Sequence, residues 1–265
     1  MYICAIANQK GGVGKTTTAH NLGVQLTRNA KKRVLLLDLD AQGNLSDACG
    51  LDPQTLEYTV FDVLAGSASI AEAKSTLEAG LDILPANIRL AEAELAFAGR
   101  IGRENLLKKA LLPVSGEYDY VLIDCTPSLG MLTINALTAA NEVIIPVQSH
   151  FLPAKGLEQL LSTVAKVKRQ INPALKINGI LLTMVDGRTN LARDISQLIR
   201  NTYGSHIKVF KTEIPLSIKA AETSAVGKSI YSYDKNGRVA DAYRNLTKEV
   251  MNNEQRTKHK SEIIR

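Results

Sequence analysis

The stretch Gln9-Lys10-Gly11-Gly12-Val13-Gly14-Lys15-Thr16-Thr17 constrains the fold of this chain more than any other. It follows Met1 to Asn8, a mostly apolar run of strand length, and precedes a segment in which Ala19, Leu22 and Leu26 recur at helical spacing. A glycine-rich loop between a strand and a helix is the setting a phosphate loop requires. Gly11, Gly12 and Gly14 let the backbone approach phosphate closely, and the helix start adds free N–H groups and a positive dipole end. In this pattern Lys15 reaches the β- and γ-phosphates, the Thr16 hydroxyl holds Mg²⁺, and Val13 and Thr17 complete the run that lies along the nucleotide. The general pattern has Gly where this chain has Gln9. Lys10 is a second lysine with no evident duty toward phosphates that Lys15 already neutralises.

Strand and helix patterns alternate along the rest of the chain. Short apolar runs over 33–38, 81–85, 118–124, 142–147 and 176–183 have the look of strands buried on both faces. Helical patterns lie between them at 88–98, 101–112, 130–140, 154–171 and 190–203. This alternation implies an α/β fold, a doubly wound, mostly parallel sheet with helices on both faces. Ligands in such sheets bind at the carboxyl ends of the strands. The glycine-rich loop, Asp38 and Asp124 all lie at such ends, so they are expected to converge.

Asp124 closes the run Val121-Leu122-Ile123, the form of a strand whose carboxylate holds a Mg²⁺ shell. Asp38 and Asp40 point the same way in an extended segment and can face one site. A helix cap or turn is the plainer reading of that pair. Phosphoryl transfer depends on positioning and charge compensation, so the lack of a catalytic histidine is no objection.

With Lys10 and Lys15 in one loop, the chain resembles the deviant Walker A ATPases, which include the ParA/Soj partition proteins, MinD and the nitrogenase iron protein. The resemblance covers residues 8–228. It implies that Lys10 crosses a dimer interface to the partner subunit's nucleotide, and that Asp40 orients the attacking water. Asp38 would support that loop and, with Thr16 and Asp124, the Mg²⁺ shell. Cys125-Thr126-Pro127-Ser128-Leu129-Gly130 resembles the family's second switch segment, with Thr126 and, earlier, Ala41 where proline is common. Met184 and Pro215 are candidates for contact with the base, and ordinary strand-end packing is an equal reading of both. ATP and Mg²⁺ are the implied cofactors. A ParB-type centromere-binding partner is implied as the stimulator of a slow ATPase, which would form a homodimer when ATP-bound.

Charge separates the two parts of the chain. The net charge is +6, and residues 1–185 carry 17 basic and 17 acidic side chains against 15 and 9 in residues 186–265. Such asymmetry suggests a polyanionic partner on the C-terminal side. The helix expected at 190–203 has Leu191, Ile195, Leu198 and Ile199 on its core side, with Arg193 and Arg200 sharing another face. Lys211, Lys219, Lys228 and Arg244 follow. In the partition branch, basic residues around these places hold non-specific double-stranded DNA. Each alone reads as a solvated side chain, and the cluster carries the expectation.

One ATPase domain is expected over 1–250, with a polar, flexible tail over 251–265. Cys4, Cys49 and Cys125 are too few and too scattered for a disulfide framework or a paired-cysteine metal site. No leader or membrane span is evident, so a cytoplasmic, nucleoid-associated protein is expected. Two other readings stay open: a MinD-like ATPase that positions cargo on a membrane or protein surface, and a DNA-bound regulator switched by nucleotide. The first would need an amphipathic C-terminal helix, for which residues 251–265 offer only Met251, Ile263 and Ile264 as apolar contacts.

Overall fold

A computed structural model describes residues 1–149 and 154–263. The chain runs β1 (Tyr2–Ile6), α1 (Lys15–Ala30), β2 (Val34–Leu39), α2 (Asn44–Ala48), α3 (Val60–Ala65), α4 (Ile70–Ala73), β3 (Ser75–Glu78) and β4 (Leu81–Leu84). It continues through α5 (Ala93–Ala96), α6 (Leu106–Leu111), β5 (Tyr120–Cys125), α7 (Met131–Ala139), β6 (Glu142–Gln148) and α8 (Ala154–Gln170). The last elements are β7 (Lys176–Thr183), α9 (Asn190–Tyr203), α10 (Ile218–Ala225), α11 (Ile230–Tyr233) and α12 (Arg238–Ile263).

The strands form one seven-stranded sheet in the order β3-β4-β2-β5-β1-β6-β7, and every pairing except β3 with β4 is parallel. The alternation of strand and helix patterns thus led to the right architecture. Side chains along β1 divide strictly: Ile3, Ala5 and Ala7 enter one core, and Tyr2, Cys4 and Ile6 the other. Along β2, Leu35, Leu37 and Leu39 oppose Val34 and Leu36 in the same way. Both faces are therefore covered, which is why these strands read as unbroken apolar runs. The first core is closed by α3, α6, α7, α8 and α9, the second by α1, α11 and α12. Gly23 brings α1 close to the sheet, since a Cβ there would lie 2.6 Å from Leu36 Cδ2.

Several elements differ from the sequence expectation. The pattern at 88–98 is a 3₁₀ turn, Ile88–Glu92, followed by the single turn α5. That at 101–112 begins with a second 3₁₀ turn after Gly102, whose φ of 70° a side chain would strain, and only then becomes α6. The antiparallel edge strand β3 is polar and partly exposed, so it carries no apolar run to reveal it. On α9 the buried positions are Ala192, Ile195, Ser196 and Ile199, whereas Leu191 and Leu198 are 60% and 45% exposed.

The boundary expected at residue 251 does not interrupt α12, whose backbone stays helical to Ile263. Val250 and Glu254 are buried and Met251 is half-buried against the second core. The spacing of Leu246, Val250 and Glu254 is that of one helix face, and a carboxylate on that face hid the pattern. Residues 264 and 265, with the Ile264 counted above, lie outside the described residues. No helix among the described residues is long and apolar enough to cross a membrane.

Tyr243 of α12 is almost wholly buried against α1, where its hydroxyl lies 3.2 Å from Thr18 Oγ1. Asn21 of α1 accepts the Ile230 N–H of α11 at 2.8 Å. Helix α1 is thereby held between the sheet and the C-terminal helices. His20, on the same helix, is buried, and burial pushes its pKa down to about 4, with the Glu78 charge opposing and Arg28 reinforcing. A depressed histidine pKa means the unfolded chain binds the extra proton first, so its contribution is whole above about pH 6.5 and shrinks as pH falls toward 4. Stability should decline by up to about 2 kcal/mol between pH 6.5 and 5. Urea unfolding across that range should show a shallower decline in His20→Gln, and an unchanged slope would remove His20 as its source.

Candidate phosphate-binding site

The loop after β1 is fixed before any ligand is considered. Asn8, buried at its start, donates from Nδ2 to Pro146 O at 2.6 Å and accepts the Lys10 N–H at 2.9 Å. Gly12 and Gly14 have φ of 68° and 82°, the left-handed region that glycine enters without strain. Gly14 is the N-cap of α1 and supplies no side-chain acceptor, so the first-turn N–H groups remain available for an anion. A Cβ built at Gly11 or Gly12 meets nothing within 4 Å, which leaves the space above them open. These residues line a cavity of about 520 Å³ together with Lys15, Thr16, Thr17 and Asp40.

Two carboxylates stand behind this loop. Asp38 and Asp124 are register partners on β2 and β5, and both are buried. Thr16 Oγ1 donates to Asp124 Oδ2 at 2.6 Å, while Asp124 Oδ1 is buried without a hydrogen-bond partner. Burial and the neighbouring Asp38 charge raise the pKa of Asp124, against the pull of Thr16 and Lys15. Lys15 is itself buried, which lowers its pKa, and the Asp124 charge opposes that. Its Nζ donates to Lys10 O at 3.2 Å, folded back across the loop.

Asp38 does something other than face the cavity. Its Oδ2 accepts both the N–H and the hydroxyl of Ser46, at 2.9 and 2.8 Å, and its Oδ1 accepts the Asp40 N–H at 3.1 Å. Burial pushes its pKa up to about 6 against those bonds. The loop-supporting part expected of Asp38 has its contacts here, with its oxygens turned to α2 and to the backbone of Asp40. Asp40 is half-buried on the cavity wall, with Oδ1 accepting the Gln42 N–H at 3.1 Å.

An unsatisfied, buried carboxylate oxygen beside a hydroxyl suits a hard cation such as Mg²⁺. Among the described residues no group of three or more His, Cys, Asp or Glu is placed to hold a metal. Such an ion would complete its shell with phosphate oxygens and water, as Mg²⁺ commonly does.

Lys10 is exposed on the rim, its Nζ 3.4 Å from Gln148 Oε1. Met184 lines the same cavity and holds a left-handed φ of 52°, an uncommon conformation for a side-chain-bearing residue. Pro215 lies elsewhere, in a second cavity of about 560 Å³ that begins at Val185 and includes Thr212 and Asn245. Val185 and Pro215 form an isolated parallel bridge, and Met184, the residue before Val185, lines the first cavity. Sequence reasoning missed Asn8, Gln148, Thr183 and Ser46. Position at the carboxyl end of a parallel strand would have flagged the first three.

The six basic candidates separate by partner. Arg200 donates to Glu213 at 2.9 Å and to Phe210 O at 3.0 Å, fastening α9 to the chain ahead of Pro215. Arg244 lies over the Tyr231 ring and pairs with Asp241. Lys219 pairs with Asp234 at 3.1 Å but keeps more than half its side chain exposed. Arg193 caps the Gly187 carbonyl from an exposed position, and Lys211 and Lys228 are exposed.

A parallel sheet, a left-handed glycine loop at its centre and a hydroxyl–carboxylate pair behind it define a P-loop nucleotide-binding protein with a second lysine at the rim. A model of the AAA domain matches residues 1–177. The sporulation initiation inhibitor protein Soj of Bacillus subtilis is 46% identical, over 95% of this chain and 98% of its own length. The chromosome-partitioning ATPase Soj of Treponema pallidum is 44% identical, over 92% and 94%. Among solved structures, a protein from Mycobacterium smegmatis described as cobyrinic acid a,c-diamide synthase, bound to an ATP analogue and magnesium, superposes with a TM-score of 0.85. It is 40% identical over 94% of this chain and 93% of that one. The chain belongs to the ParA/Soj family of partition ATPases.

The pairing of Arg200 gives a test of its assignment. Arg200→Ala should lower the stability of the protein by about 1 kcal/mol, read as a lower urea midpoint with an unchanged slope. A midpoint that does not move would release Arg200 from the fold and return it to the surface candidates.

Proposed function

We propose that this protein is an ATP-switched partition ATPase: it binds ATP with Mg²⁺, closes into a homodimer, holds non-specific double-stranded DNA, and hydrolyses ATP when a ParB-type partner stimulates it. The observation that carries this reading is the division of labour between the two loop lysines. Lys15 is buried among the carboxylates, where it can meet phosphate from its own loop, and Lys10 stands exposed at the rim, where it can reach outward.

In this reading Thr16 and Asp124 hold Mg²⁺, directly and through water, with Asp38 stabilising the loop that carries Asp40. The ion supplies charge neutralisation at the phosphates. Lys15 leaves the Lys10 carbonyl to meet the nucleotide, and the N–H groups at the start of α1 receive phosphate oxygens. Asp40 orients water from the cavity wall, and placement rather than strong basicity is what this role demands. Met184 and the segment at Pro215 flank the route toward the base. On the outer surface Arg193, Lys211, Lys219 and Lys228 supply the cations for DNA backbone. Arg200 and Arg244 contribute through the fold that presents them. A cytoplasmic, nucleoid-bound location follows from this activity.

The test is binding to random-sequence double-stranded DNA by Asp40→Ala protein, with MgATP and with MgADP, over a salt series. Binding should require ATP and weaken steeply with salt. Neutralising Lys211 and Lys228 together should reduce the salt slope by about 2 if both meet phosphates, while the ATP dimer persists in light scattering. Lys10→Ala should bind ATP yet stay monomeric. Absence of DNA binding in both nucleotide states would remove DNA from the proposal, and a normal Lys10→Ala dimer would remove the cross-subunit role.

A further inference from the structure

The phosphate loop is gripped from beneath by two side chains that neither the motif nor the proposed mechanism uses. Gln148 and Thr183 are the last residues of β6 and β7, and they are register partners in the sheet. Neighbouring parallel strands turn register partners to the same face, so both side chains rise toward one place. Gln148 Nε2 donates to Gly12 O at 2.7 Å, and Thr183 Oγ1 donates to Val13 O at 2.9 Å. Two adjacent strand ends therefore hold two successive carbonyls of the loop.

The consequence follows from peptide geometry. In a planar trans peptide the C=O and the next residue's N–H point in opposite directions. Drawing the Gly12 and Val13 carbonyls down onto β6 and β7 turns the N–H groups of Val13 and Gly14 the other way, toward the open cavity. Glycine at 12 and 14 makes that orientation accessible, but it equally permits others. A flexible loop would have to be ordered by its ligand at a cost in affinity. Gln148 also receives Lys10 Nζ on Oε1 and lies 2.9 Å from Met184 Sδ, so one amide touches loop, rim lysine and cavity wall.

We propose that Gln148 and Thr183 are positioning residues that preorganise the phosphate nest by fixing the orientation of the Gly12–Val13 and Val13–Gly14 peptides. The inference rests on the reading that this cavity takes nucleotide phosphates. It assigns the affinity of the loop to side chains 136 or more residues away in sequence as well as to its glycines.

Titration calorimetry with MgADP and with a non-hydrolysable MgATP analogue tests it, beside steady-state hydrolysis. Thr183→Val keeps shape and removes the donor. It should weaken both nucleotides about 5–10-fold, raise KM equally and leave kcat within about twofold. Thr183→Ser, which keeps the hydroxyl, should restore affinity, a rescue that a role in packing alone would not give. Gln148→Ala should weaken binding by a similar factor. Gln148→Glu, which cannot donate to Gly12 O, should weaken it further. Thermal melting without nucleotide identifies any variant that fails to fold, and the Ser and Glu variants keep the test decisive if Val does. If the unchanged protein binds neither nucleotide, the nucleotide reading falls and this inference with it. If it binds and both Thr183→Val and Gln148→Glu bind as tightly, only the inference is overturned.

Discussion

Two aspartates buried side by side at the ends of adjacent strands are the constraint around which this molecule is arranged. Asp38 and Asp124 are register partners on β2 and β5 with almost no exposure, and the Asp38 charge adds to burial in raising the pKa of Asp124. Like charges so placed are tolerated only if each finds its own compensation. The structure separates the two solutions. Asp38 is satisfied inward, by Ser46 at the start of α2 and by the Asp40 backbone. Asp124 is satisfied on one oxygen by Thr16 and left open on the other. One carboxylate braces the loop that bears Asp40, and the other presents an unbonded oxygen beside the phosphate loop. Lys15, buried nearby, supplies a positive charge that offsets part of the cost of burying Asp124.

The C-terminal third solves a different problem with the same kinds of residues. An excess of cations there could repel itself apart or crowd the acidic site. Instead Arg200 and Arg244 each engage a carboxylate and a backbone carbonyl, and through the carbonyls of Phe210 and Lys235 they tie chain segments together. Arginine suits this use because its fork engages a carboxylate and a carbonyl at once. Lys211 and Lys228 are exposed, and Lys219, although paired with Asp234, keeps more than half its side chain in solvent. Net charge of the region is thus a poor guide to which cations are available, and partner geometry is a better one.

Much of this fold was legible because parallel strands buried on both faces leave unbroken apolar runs, and the helices between them repeat at their own period. The site was legible wherever a residue belongs to a contiguous motif, as Lys10 to Thr17 do, or ends an apolar run in acid, as Asp124 does. Legibility failed for two physical reasons. Short polar elements such as β3, and helices broken by Gly99 and Gly102, carry too little periodicity to register. Supporting residues such as Asn8, Gln148 and Thr183 end or follow strands, but the carbonyls they hold lie 136 or more residues away, so the local pattern marks the place and not the contact. The helical face of α9 was misread at Leu191 and Leu198 because an apolar residue on an amphipathic helix is not thereby buried.

The far end of the sheet and helix α12 show how the molecule divides its labour. Tyr2, at the start of β1, donates to Glu142 at 2.6 Å, and Asn178 of β7 binds both groups. Asn253 of α12 donates to Asn178 Oδ1 at 2.8 Å, and Tyr120 of β5 donates to Glu254. Burial drives both tyrosine pKa values upward, so the phenols stay protonated and remain donors. All these groups but those of α12 stand at or near the amino ends of the strands, opposite the phosphate loop. A buried carboxylate is costly unless every bond is made, so such a network tolerates few alternative arrangements. By anchoring α12 there, the chain makes the amino end of the sheet its fixed base. The carboxyl end, where Asp124 keeps an unbonded oxygen and Lys15 holds only a carbonyl, is left as the end that can answer a ligand.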